Sequence, residues 1–124
     1  MDVSAAVLAI AALAACTQAE LGPPTGATCP PDSTLTYDDF AARFMADYCT
    51  ACHSSALPPD QRHGAPVLHD FDTLDGIIAV WQHVDETAAA GPDAVNTLMP
   101  PQDPRPTLDE RYQLGEWLAC GMPE

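Results

Sequence analysis

Residues 49–53 read Cys-Thr-Ala-Cys-His, and this run narrows what the chain can fold into more than any other. A thioredoxin-like redox pair also uses Cys-x-x-Cys, but it belongs beside a βαβ pattern, which this sequence lacks. A structural zinc site needs four ligands, and His63, His69 and His83 offer no second pair at short spacing. A plain disulfide between Cys49 and Cys52 leaves the adjoining His53 without a reason. Covalent haem attachment accounts for all three residues. Two thiols three positions apart, on a turn continuous with a helix, can each add to one of the two vinyl groups along one porphyrin edge. The His53 imidazole then comes beneath the ring and offers a nitrogen to the iron.

The amino terminus names a compartment. Residues Ala5 to Ala15 form an apolar run that ends in Leu13-Ala14-Ala15-Cys16. Such a run is too short to span a bilayer, which takes about twenty apolar residues, and it reads as the hydrophobic region of an export signal. Its ending resembles a bacterial lipobox, in which cleavage precedes the cysteine and the sulfur carries diacylglycerol. Asp2 departs from the basic start usual in such signals. The expectation is a signal over residues 1–15, a lipidated Cys16, and a protein anchored to a bacterial envelope membrane and facing the periplasm. An ordinary signal with an incidental Cys16 is the alternative.

The five cysteines then divide without remainder. Cys16 takes the lipid, Cys49 and Cys52 take the haem, and Cys29 and Cys120 are left to bridge in an oxidising compartment. Closing a loop of roughly ninety residues contributes about 4 to 5 kcal/mol in the chain-entropy model. A domain this small needs such help, because its core alone is marginal.

Charge excludes one class of partner. The chain of 124 residues has 18 acidic side chains, 4 arginines and no lysine, a formal −14. Cleavage before Cys16 removes Asp2, leaving 17 of those acids against the same 4 bases, a formal −13. Nucleic acid is not expected as a partner, since phosphate binding rests on basic side chains. The acidity suits solubility and, equally, steering toward a basic surface on a redox partner.

Residues 17–35 carry Gly22, Pro23, Pro24, Gly26, Pro30 and Pro31 without apolar periodicity, so residues 16–35 read as a lipidated cysteine and a tether. A first helix is expected from Thr36, where Thr-Tyr-Asp-Asp resembles a capping box, with Phe40, Phe44 and Tyr48 on one face. Residues 54–71 read as a loop wrapped around something. A second helix is expected from Asp72 to Gly91-Pro92, with Leu74, Ile77, Ile78, Trp81 and Val84 at helical spacing. Met99-Pro100-Pro101 lies in another irregular stretch, and a last helix opens with the Thr107/Glu110 capping box, its apolar side formed by Leu108, Leu114, Trp117 and Leu118. No segment reads as a strand.

Over residues 36–121 this order is similar to that of class I c-type cytochromes. An aromatic-bearing helix precedes Cys49-Thr50-Ala51-Cys52-His53, and a Met-Pro element precedes a terminal helix with Trp117 and Leu118. The resemblance implies an all-α fold for residues 36–124, a small cytochrome c-like domain of three or more helices wrapped around one covalent haem c. It implies that the first and last helices cross closely, a role for which Gly115 is suited. It also implies thioethers at Cys49 and Cys52 and axial iron ligands at His53 and Met99, the latter on a loop stiffened by Pro100 and Pro101. His69 is the alternative sixth ligand, while His63 reads as solvent-exposed and His83 as surface or packing. With both axial places filled the expected function is single-electron transfer between redox proteins and not enzymatic turnover. Two other readings stay open: a haem-based ligand binder or sensor with a labile or absent sixth ligand, and a non-redox envelope lipoprotein.

Overall fold

The computed structural model describes residues 21–124, so the signal segment and Cys16 lie outside the described residues. Four α-helices, α1 (Ala42–Tyr48), α2 (Leu74–Ala79), α3 (Trp81–Ala88) and α4 (Leu108–Ala119), carry the described part, which contains no β-strand. Its one strand-like pairing is an isolated bridge between Ala90 and Val95. Among these residues no helix is long and apolar enough to cross a membrane.

The first helical segment starts at Thr36, whose hydroxyl accepts from the Asp39 N–H at 3.0 Å. Its opening turn, Tyr37–Ala41, is π-helical and runs straight into α1. The four-residue spacing brings the rings of Phe40, Phe44 and Tyr48 together, tilted and edge-on, with centroids 5.7 and 5.1 Å apart. Phe44 and Met45 are buried by this arrangement, against Leu114 and Trp117 of α4 in one apolar cluster. The Pro123 carbonyl closes the corner, accepting from the Tyr37 N–H at 2.7 Å and the Trp117 indole N–H at 3.0 Å.

The single helix expected from Asp72 is two. Thr73 caps α2 by accepting from the Gly76 N–H, and the helix stops at Val80, where φ −134° and ψ 30° leave the helical region. Ile77 and Val84 are buried, whereas Ile78 and Trp81, expected on the same face, are exposed. In α4 the capping box forms in both directions, Thr107 with Glu110. Leu108 is exposed, and the buried stripe runs instead through Arg111, Leu114, Trp117 and Leu118.

The expected tether is not free over its described part. Residues 21–29 form a strap on α3 and α4. The Gly22 N–H donates to the Glu86 carbonyl at 2.8 Å, and Asn96 donates its amide to the Pro23 carbonyl. Thr25 is buried and gives both its N–H (2.9 Å) and its hydroxyl (2.6 Å) to the Asp85 carboxylate. A buried carboxylate demands such donors, and a Pro/Gly-rich segment supplies them with no helix or strand of its own. The strap ends in the Cys29–Cys120 disulfide, with Cα atoms 4.7 Å apart across 91 residues. Gly115 serves this layer and not a crossing with the first helix. A Cβ there would collide with the Ala90 carbonyl and touch Ala27 at 3.2 Å.

Candidate functional site

Helix α1 delivers the Cys-x-x-Cys-His run without a break. The Cys49 and Thr50 N–H groups still donate to the Met45 carbonyl, and the His53 N–H donates to Cys49 at 2.9 Å. That continuing turn gathers Cys49, Cys52 and His53 on the lining of one apolar cavity, with Tyr48 and Phe71 beside them. The cavity measures about 180 Å³.

Both thiols are free. Burial pushes the Cys49 thiol up to about 12, against the opposing pull of Arg111 and with Cys52 adding to the rise. A reactive redox thiol works as thiolate, so the raised value at Cys49 does not match that use.

His53 is oriented from behind. Its Nδ1 pairs with the His69 carbonyl at 3.0 Å, and its ring stacks on Phe71 with centroids 4.6 Å apart. A carbonyl can only accept, so Nδ1 carries the hydrogen and Nε2 keeps its lone pair. Burial lowers the His53 pKa, with the His69 carbonyl bond working the other way, and favours the neutral imidazole that can ligate.

Met99, Pro100 and Pro101 line the same cavity from the loop between α3 and α4. Two bonds place Met99: its N–H donates to the Thr87 carbonyl and its carbonyl accepts from Arg111, each at 2.9 Å. The same Arg111 nitrogen reaches the carbonyls of Ala88 (2.8 Å) and Asn96 (3.0 Å). Arg111 is buried and, among the described residues, pairs with no carboxylate.

The other histidines fall differently. His69 is not among the residues lining the cavity; its carbonyl holds His53, and its ring lies 6.5 Å from the His53 ring and 5.1 Å from that of His83. His63 is exposed, as expected, yet sits on the cavity lining with Gly64, Ala65 and Pro66. His83 is exposed on α3.

What sequence reasoning missed are the two buried arginines. Arg62 is what the 54–71 loop wraps around, and Arg111 holds the Met99 loop. A signal for Arg111 was available, since it falls three residues before Leu114 on the buried stripe of α4. The donor set suits a covalently held haem: two free thiols, an imidazole with one nitrogen tied off, and a thioether on the same apolar cavity. No protein-family model, curated protein or solved structure matches this chain.

Proposed function

We propose that this chain is a monohaem class I c-type cytochrome that carries single electrons on the periplasmic side of a bacterial envelope. The observation that carries the reading is the convergence of Cys49, Cys52, His53 and Met99 on one apolar cavity, although Met99 lies 46 residues beyond His53. Cys49 and Cys52 form the two thioether bonds, His53 offers Nε2 to the iron, and Met99 offers its sulfur. A haem iron held this way supplies one-electron exchange. The residues around it bind the ring edge, exclude water through Phe71, Val84 and Ala88, and fix both ligand loops by hydrogen bonds. Cys16 carries the lipid anchor, and the acidic surface meets a basic redox partner.

The test is purification from a host competent for cytochrome maturation, followed by intact mass and visible absorption. The reading predicts one haem retained under denaturing conditions, and low-spin iron that does not take up carbon monoxide readily. Colourless protein of the bare polypeptide mass would return the chain to the non-redox lipoprotein reading. High-spin iron that takes up carbon monoxide readily would make it a ligand binder.

A further inference from the structure

We infer that Arg62 is a positioning residue that weakens the donation of His53 toward iron, acting through the carbonyl of His69. This rests on the function proposed above. The chain has 4 cationic side chains, and Arg62 is one of two that are buried, at 4 % exposure. All three of its guanidinium nitrogens are engaged. Nε donates to the Ala65 carbonyl (3.3 Å), and Nη1 donates to the Ser54 carbonyl (2.6 Å) and the Asp70 carboxylate (2.8 Å). Nη2 donates to the Pro66 carbonyl (2.8 Å) and the His69 carbonyl (3.2 Å). The loop reaches this geometry through left-handed backbone at His63 (φ 51°), Gly64 (φ 86°) and Leu68 (φ 74°). Two of those residues are not glycine, a conformation that L side chains adopt only when the surroundings hold it.

The consequence lies in the shared oxygen. The His69 carbonyl accepts from Arg62 and from His53 Nδ1 at once. A ligating imidazole becomes a stronger donor when its other N–H leans on a good acceptor. A carbonyl already polarised toward a buried cation has less electron density to give a second donor, and the nearby positive charge opposes any negative charge on the ring. Arg62 therefore keeps His53 closer to a plain neutral imidazole, which favours the reduced iron and a higher potential. Asp70 partly offsets this by pairing with the same guanidinium.

The test uses haem-loaded protein in a Met99→Ala background, where the reduced iron has His53 as its only protein ligand. Resonance Raman then reads the iron–imidazole stretch directly, and the midpoint potential is measured with Met99 present. Arg62→Gln should move the stretch to higher frequency and the potential down. Asp70→Asn, which leaves all Arg62 donors in place, should move the stretch lower and the potential up. A stretch unmoved in both variants, or moved in the opposite sense, overturns the inference even if the potential shifts through charge alone. Where Arg62→Gln does not fold, Asp70→Asn decides by the same criterion. Protein matured without covalent haem would overturn the proposed function and this inference together, whereas haem-loaded protein with an unmoved stretch overturns this inference alone.

Discussion

Removing the Cys29–Cys120 bridge has a magnitude that follows from its place in the chain. The bond closes a loop with a sequence separation of 91 residues, nearly the whole described domain. In the chain-entropy model such a loop costs the unfolded chain about 4.5 kcal/mol at 25 °C, so the double variant Cys29→Ser/Cys120→Ser loses about that much stability. Unfolding entropy is about 2.1 cal/mol/K per residue, or about 0.2 kcal/mol/K for a domain of this size, so Tm should fall by about 20 °C. The Thr25–Asp85 bonds and the Asn96–Pro23 bond remain, so the strap itself should stay seated. The assay is thermal unfolding of the purified protein followed by far-UV circular dichroism, with and without reductant for the parent and without it for the variant. Reductant should bring the parent down to the variant. A fall of less than about 4 °C, the shift that roughly 1 kcal/mol produces at this size, would refute the loop-entropy account of the bridge.

The other predictions concern the ligand loops, an ionisable link and the anchor. Arg111→Leu removes the donor of the Ala88, Asn96 and Met99 carbonyls; each orphaned buried carbonyl costs about 1–3 kcal/mol, offset in part by no longer burying an unpaired cation. Denaturant titration should show a net loss of about 3 kcal/mol, and added imidazole should displace Met99 at a lower concentration. An unchanged imidazole affinity would remove Arg111 from the positioning of Met99. Burial raises the Glu110 pKa, but bonds from the Thr107 N–H, the Tyr48 hydroxyl and the Thr107 side chain outweigh it and hold the carboxyl below its usual value. A depressed carboxyl contributes stability that is present above the unfolded value, about 4.3, and is lost as pH falls through the folded one. The Tm gap between the parent and Glu110→Gln should accordingly be constant above about pH 5 and shrink below about pH 4, and a gap independent of pH would refute the link. Cys16→Ser should release the protein from the membrane fraction with its haem intact, and a variant still membrane-bound after a salt wash would refute the lipid anchor.

Much of this fold is legible in the sequence because the signals are local. The four-residue recurrence of Phe40, Phe44 and Tyr48 defines one face, and the Thr107–Glu110 pair defines the start of α4. The Cys49–His53 run supplies half of the candidate site by spacing alone. What was not legible depends on contacts distant in sequence. Val80 breaks the second helix although Ile77 to Val84 keeps an apolar period, since a period does not report a backbone torsion. The strap over residues 21–29 has the composition of a linker, and its order comes from Asp85, 60 positions from Thr25. Arg62 and Arg111 escape a reading of the sequence because most of their partners are backbone carbonyls, which leave little trace in the identity of neighbouring residues.

The central claim is that Met99 and His53 hold one iron between them in the cavity at the end of α1. The direct measurement is the ferric absorption spectrum of haem-loaded protein with Met99 and with Met99→Ala, read together with the midpoint potential. The parent should be low-spin with a weak near-red band from sulfur-to-iron charge transfer. The variant should lose that band, bind carbon monoxide when reduced, and have a lower potential. His69→Ala should leave the band in place. A Met99→Ala spectrum identical to the parent, with His69→Ala turning high-spin, would contradict the account and assign the sixth position to His69.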